Sequence, residues 1–426
     1  MSAILGMRGT GDWASEQRPK SWREKILRLY PNGDAPLTAI LSKMKSEALT
    51  DPEFSWWTKA FPTQAADVTD VYTDVLTTAY TTGGTLGQAL YIKVSAAHAA
   101  YFRAGHQVLL MNTANFADNT NAKVTGVVFN GANSYVAVKL LQADPTTNGI
   151  ADCNRLLIIG NINAEGAAMP DAISYNPTKL YNFTQIFRTP LSITRTARKT
   201  NLRTGDQYKE SKREALELHS IEMEKAFLWG IRTEGIGSNG KPERTTAGML
   251  SSIISNSGNV SDFTADSDFL NSTWLESGEA WLNKWLEQIF RYGGNSRTAF
   301  VGSGTVLAIN SLITEYGHFE YTPDTAEYGV KVKTWGTPFG EIHMMIHPLF
   351  SFEPAHRHTM AIFDPKDLIY RYIDDTTFYG EKEQQNTGRG RIDGTDEEFL
   401  TECGLEFHHY TKTAFLSGFG SDNGTP

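Results

Sequence analysis

Apolar positions change their spacing along this chain, and each change predicts a different element. From residue 67 to about 180 they alternate in short runs. VTDVYTDV opens the series, and LYIKV, QVLLM, KVTGVVF, YVAVKLL and RLLIIG follow at fairly regular intervals. Alternation with period two predicts half-buried strands. Gly105, Asn119 to Asn121, Gly131 to Ser134 and Asn148-Gly149 fall between the runs as turn residues. Short strands separated by such turns predict a small antiparallel barrel or sandwich. TTAYTTGGTLGQ, after the first run, is too rich in Thr and Gly for a helix and reads as an extended loop.

The stretch from Gly205 to Gly230 is densely charged and has no internal Gly or Pro. It predicts one continuous helix from about 204 to 230, a rod of roughly 40 Å. Thr204 and Gln207 have the spacing of a capping box, and Gly230 is a natural stop. Glu210–Arg213, Arg213–Glu217 and Glu222–Lys225 are spaced to pair on the exposed face. Leu216, Met223 and Phe227 are expected to hold the other face on a sheet. Before this helix, FRTPLSITRTARKT (187–200) reads as a strand. After it, Trp274, Trp281, Trp285 and Ile289 make one apolar stripe on a helix over 274–292. AFVG followed by SGTVLAINSLITEYG reads as strand, turn and helix. VKVKTW, GEIHMMIH, MAIFDP and LIYRYI read as strands, and Leu405, Phe407 and His409 alternate in a last one.

Residues 1 to 66 are sparser. Gly6, Gly9 and Gly11 open them, and Pro19, Pro31, Pro36, Pro52 and Pro62 interrupt them. One short helical pattern remains, at Leu37, Ile40, Leu41 and Met44. Trp56, Trp57 and Phe61 need a partner, either their own domain or a neighbouring subunit.

Length and charge then narrow the function. The chain has 426 residues, enough for two or three domains. It has 39 basic and 48 acidic residues, a net charge of −9. That balance argues against a surface built to grip nucleic acid, although a container needs no such grip. Cys153 and Cys403 lie far apart, which is no disulfide framework and fits a reducing compartment. The N-terminus lacks the pattern of a signal peptide, and no apolar stretch approaches a membrane span.

Candidate chemistry is thin. Gly235, Gly237 and Gly240 have the GxGxxG spacing, but a helix precedes them and a loop follows, the reverse of a dinucleotide site. His343 and His347 are four apart in a strand pattern, with Met344 where a zinc protease needs Glu. His356 with His358, and His408 with His409, lack further ligands at recognisable spacing. Asp393, Asp396, Glu397 and Glu398 crowd a Gly-containing turn but fit a calcium loop poorly. There is no GxSxG, and neither cysteine has a basic neighbour in sequence. The expectation is therefore no enzyme, with no catalytic, cofactor-binding or metal residues and no cofactor.

The order of parts resembles the major capsid proteins of tailed bacteriophages, which have the Hong Kong-97-type fold. IEMEKAFLWGIRT resembles the end of that family's long helix, and AFVGSGTVLAINSLI its strand-to-helix step. TPFGEIHMMIHPLF, MAIFDPKDLIYRYI and GTDEEFLTECGLEFHH resemble its closing half. The resemblance covers roughly residues 54 to 416. It implies an α+β fold. Residues 1–66 would be an N-terminal arm. Residues 67–185 would be an extended β loop carrying a small β-barrel-like insertion at about 90–160. Residues 186–250 would be a peripheral domain with a long spine helix at 204–230, and 251–398 an α/β axial domain. Residues 399–426 would be a returning strand and tail. The implied function is a structural one: self-assembly, as pentamers and hexamers, into the icosahedral shell that encloses the phage genome. The enclosed DNA would be double-stranded, with no sequence-specific binding. Scaffolding, portal and decoration proteins would be partners, with no membrane involved. The protein would reside in the virion and be assembled in the host bacterial cytoplasm. A tail or decoration protein, or a β-rich glycan hydrolase, are the alternatives. No position is assigned to a covalent crosslink.

Overall fold

The fold is taken from a computed structural model, which describes residues 44–59, 61–144, 149–200, 206–316, 321–327, 330–380 and 394–424. Leu37, Ile40, Leu41, Thr204 and Asp393 lie outside these residues, as does most of the expected arm. The chain divides into two compact units. One is Trp57–Thr178, and the other combines the segments before and after it.

The described residues open with β1 (Lys45–Ala48) and β2 (Glu53–Thr58). The first unit follows, with β3 (Ala65–Tyr72), β4 (Ala89–Val94), the short α1 (Ala96–Ala99), β5 (His106–Met111), β6 (Thr120–Val128), β7 (Tyr135–Leu140) and β8 (Arg155–Asn161). These six strands close into a barrel in the order β3-β4-β7-β6-β5-β8. Every pairing in it is antiparallel. The sequence dictates this: Leu90, Ile92 and Val94 on β4, Val108 and Leu110 on β5, and Val136, Val138 and Leu140 on β7 alternate inward and are fully buried. Closure leaves no free edge to pair with another chain.

Residues 73–88 cross from β3 to β4 without regular structure. Asp74 holds the start of this stretch by accepting from the backbone N–H groups of Thr77 and Thr78 and from the Thr78 hydroxyl. Those bonds hold its carboxyl down at about 2. Tyr80 holds the middle. Its hydroxyl donates to Asp144 at 2.5 Å and accepts from Gly84 N–H at 2.7 Å.

The second unit is built from β9 (Thr178–Phe183), β10 (Gln185–Thr194), α2 (Arg195–Lys199), α3 (Gln207–Trp229), a hairpin of β11 (Thr233–Ile236) and β12 (Pro242–Thr245), and α4 (Met249–Asn256). It continues with β13 (Val260–Asp262), α5 (Trp274–Phe290), β14 (Ser296–Val301) and α6 (Ser303–Tyr316). Then come β15 (Tyr321–Glu327), β16 (Val330–Thr337), β17 (Gly340–Ile346), α7 (Pro348–Phe352), β18 (Met360–Phe363), β19 (Leu368–Tyr379), β20 (Gly394–Phe407) and β21 (Ala414–Ser417).

Two sheets organise it: a four-stranded one, β1-β19-β20-β10, and a seven-stranded one, β13-β21-β18-β14-β17-β16-β15. Pro190 sits within β10 because that strand is an edge. One core joins Met223 and Phe227 of α3 to Met249 and Ile253 of α4 and to Phe300, Phe363, Tyr370 and Leu405 of the sheets. A second core packs Trp274, Trp281, Leu282, Leu286 and Ile289 of α5 against Ile309, Leu312, Val301, Ile342, Met360 and Leu416. Thr273 and Glu276 form a reciprocal capping box at the start of α5.

Several expectations need correction. The long helix begins at Gln207, where the Asp206 side chain accepts from the Tyr208 N–H. Gly230 ends it for a steric reason: a Cβ there would lie 2.4 Å from the Ala226 carbonyl and 2.6 Å from that of Thr246. Leu216 does not face the sheet and is 43% exposed. Ala215 takes that place against Leu191 and Phe399. His219 follows one turn on, bonding Thr189 of β10 through Nδ1 and Thr401 of β20 through Nε2. Burial lowers the pKa of that imidazole. The expected Arg213–Glu217 ion pair is present at 3.0 Å. Residues 195–199 are helical rather than strand. The expected boundary at 398/399 cuts β20, whose partner β19 belongs to the four-stranded sheet, while β21 of the expected tail lies in the seven-stranded one.

Candidate functional site

The residues that the sequence offers for chemistry serve structure instead. Asp396, Glu397 and Glu398 are not in a turn but in β20, opposite Ser192, Leu191 and Pro190. Glu397 accepts from the Tyr208 hydroxyl at 2.6 Å, and Glu398 takes both arms of Arg188. Tyr208 of α3 and Arg188 of β10 therefore engage two of the carboxylates a calcium loop would need, and the extended strand replaces the loop. Gly235 lies in β11, and Gly237 and Gly240 in the turn to β12, where Gly240 has φ +73°. The expected loop is a tight hairpin with no helix N-terminus behind it.

The histidines are dispersed. His343 on β17 bonds Thr334. His347 is fully buried, and its Nε2 lies 2.7 Å from Oε1 of the buried Glu224 on α3, but off the line that a hydrogen bond requires. His356 packs on the rings of Trp229 and Phe350. His358 meets the Phe419 carbonyl at 2.8 Å. His408 bonds Glu406, and His409 turns the chain with φ +52°. Among the described residues, no group of three or more His, Cys, Asp or Glu could hold a metal ion. Both cysteines are free and buried, and burial pushes their thiols up, to about 11 for Cys153 and about 12 for Cys403.

Buried charges act as ties. Arg297 is completely enclosed, and its guanidinium donates to the carbonyls of Tyr292, Gly294 and Ser296 just beyond α5. Arg371 of β19 reaches Glu47 of β1 on one side and buried Glu406 of β20 on the other. His408 completes the set and packs at a tilt against the Trp56 ring, 5.8 Å between centroids. Burial opposes ionisation of Glu406, but His408 and Arg371 overcome it and lower its pKa. Asn182 is a second buried tie. Its amide donates to Thr246, Ala247 and Leu405, and its oxygen accepts from the N–H groups of Phe183 and Ala247.

Beside these ties the second unit opens a groove of about 440 Å³, whose lining includes Trp56, Tyr181, Ile231, Arg232, Phe407 and Tyr410. Burial pushes the Tyr410 phenol up to about 12. The groove contains no nucleophile paired with a base. Its segments come from residues 56, 179–182, 231–256 and 405–410, which sequence spacing alone could not bring together. Trp56, offered by the sequence as a residue in need of a partner, is half-buried against His408 and Phe54, while Trp57 stays exposed.

What the surface offers instead is unpartnered apolar area. Leu218 and Ile221 on α3, Ile231 and Ile236, Leu307, Phe352 and Met169 are exposed.

Comparison with known proteins agrees. A family model for the SU10 major capsid protein matches residues 7–419. The major capsid protein of Pseudomonas phage PaMx41 is 26% identical over 406 residues, which cover 94% of this chain and 89% of that protein. Among solved structures, one titled Microbacterium phage Oxtober96 is 11% identical over 96% of this chain and 98% of its own, with a TM-score of 0.46. The capsid of a native GTA particle is 9% identical over 97% of this chain and 99% of its own, with a TM-score of 0.44. With the family model spanning nearly its whole length, the chain belongs to the SU10 major capsid protein family, and it is a structural subunit of a phage capsid shell rather than an enzyme.

Proposed function

We propose that the chain is a Hong Kong-97-type subunit that closes into an icosahedral shell of pentamers and hexamers around double-stranded DNA. The observation that carries this reading is the 23-residue helix α3 lying on the four-stranded sheet through Ala215 and His219, in a chain of a capsid family. On this reading α3 is the spine and the four-stranded sheet the peripheral domain. The seven-stranded sheet with α5 and α6 is the axial domain. Residues 67–185 are the extended loop, enlarged by the barrel, and the residues before β1 are the arm. Heterologous contacts between such subunits repeat around rings. A net charge of −9 supports enclosure of DNA without a tight grip on its phosphates. Scaffolding, portal and decoration proteins are the expected partners, and the host bacterial cytoplasm the place of assembly.

Truncation tests the arm. Deleting residues 1–43 spares β1 and Met44, so the subunit is expected to keep its circular dichroism but to fail to form correct shells. Normal shells from the truncated chain would remove the arm from the account.

A further inference from the structure

The first unit carries a long exposed segment with no regular structure, residues 162–177. Irregular segments of this length are uncommon in compact domains and are usually either functional or linkers. Here it is held out on two anchors. Arg103 donates to the Asp171 carbonyl, and Tyr101 meets the Tyr175 ring edge-on at 5.6 Å. Ahead of the anchors, Ala164–Ala167 forms a turn with Gly166 at φ +72°. Between turn and anchors stands Met169, 93% exposed. Glu165 and Asp171 flank it, so the tip presents a soft apolar knob between two carboxylates.

The groove of the second unit has the complementary character. Ile231, 63% exposed, and Tyr181 give it apolar walls. Arg232 lies over the Tyr181 ring at 3.9 Å and donates to the Tyr181 carbonyl at 2.7 Å. Among the described residues no carboxylate is bonded to that guanidinium. Lys179 reaches Glu53 only at 4.0 Å. The groove therefore sets an apolar wall of Trp56, Tyr181 and Ile231 beside the polar side chains of Ser251, Ser255 and Asn256, and is cationic at its rim.

From these two features we infer that Met169 of one subunit seats in the Trp56–Tyr181–Ile231 groove of a second copy of the chain, with Asp171 and Glu165 facing Arg232 and Lys179. The inference rests on the shell-forming role, because a shell supplies copies of the chain as partners. A knob on one surface and a hole on another make a heterologous contact that repeats from subunit to subunit. Methionine suits it, since an unbranched thioether adapts to an irregular cavity. The charges at the rim fix which way the loop enters.

Cross-linking in complete particles tests this. Full-length chains with Met169→Cys and others with Ile231→Cys are co-assembled and treated with a short bis-maleimide. Cys153 and Cys403 are buried and stay silent. A covalent dimer is expected in mixed particles and in neither variant alone. Particles that form without the dimer overturn the inference and leave the shell-building role intact, whereas failure of the unmodified chain to form particles counts against that role itself. A cross-link formed only when both cysteines share one chain overturns it in favour of the subunit's own loop. Charge exchange is the second arm. Asp171→Lys or Arg232→Glu alone is expected to raise the concentration needed for assembly about tenfold, the effect of losing one directed contact. Combining them should restore it, and a pair no better than the worse single variant contradicts the contact.

Discussion

The barrel and the two-sheet unit solve the same packing problem in opposite ways. The barrel draws six strands from one continuous stretch, and its sheet closes on itself. It carries only six basic and eight acidic residues between 57 and 178, against 39 and 48 in the whole chain. The other unit assembles its four-stranded sheet from residues 45–48, 185–194, 368–379 and 394–407, and leaves edges open. Its ties are polar and long-range, such as Glu47 to Arg371 and Asn182 to Leu405. Closing such loops costs chain entropy before any contact is made. The barrel should therefore behave as an independent module, and the two-sheet unit as the part that depends on distant segments.

The largest test of that difference is Leu216→Pro. Proline within α3 removes a backbone bond and clashes with the preceding turn, at a cost of about 3 kcal/mol or more. Calorimetry should lose the transition of the two-sheet unit and keep that of the barrel, and simultaneous loss of both would end the claim of independence. Gly404→Val should be milder. Its Cβ would lie 2.8 Å from the Phe183 carbonyl and 2.9 Å from the Phe54 ring. Overpacking of this kind costs roughly 1–3 kcal/mol. The two-sheet transition should drop in temperature while the barrel transition stays in place.

One group in each unit gives a pH test, and the two run in opposite directions. The Glu406 carboxyl is lowered in the folded state, so its contribution is complete above the ordinary carboxylate range and disappears as pH falls through the lowered value. Acidification should therefore expose the amides of β1 and the end of β20 to hydrogen exchange. Tyr80 of the barrel is raised to about 12, chiefly by burial. Its contribution is complete below about 10, the ordinary tyrosine value, and is lost as pH rises toward 12. Tyrosinate absorbance should show Tyr80 titrating late, together with Tyr410, and Tyr80→Phe should reduce that late step by one phenol. The smallest effect belongs to Arg213→Ala. The Arg213–Glu217 pair is solvent-exposed, and its loss should cost only about 0.3–0.5 kcal/mol in a denaturant melt.

The same contrast explains what could be read from the sequence. Barrel strands follow local alternation, so the runs at 90–94, 107–111, 135–141 and 155–160 fall on β4, β5, β7 and β8. The strand-to-helix step at 296–316 and the Trp stripe of α5 are equally local signals. Tertiary contacts decided the rest. Ala215 rather than Leu216 meets the sheet, because His219 one turn on must reach two threonines. Four carboxylate-bearing positions read as a turn, yet Thr395, Glu397, Phe399, Thr401 and Cys403 are buried at every second place, a strand signal hidden by charge. β1 and β21 are four residues each and take their place only from distant partners. The groove joins segments more than 300 residues apart, and no spacing rule could have announced it.

Electron microscopy of the purified full-length chain, expressed with the proteins encoded beside it, tests the central claim most directly. Closed shells whose surface resolves into five- and six-membered rings of this subunit are predicted. A population of small discrete particles with no higher order, under conditions where the subunit is folded, would contradict it.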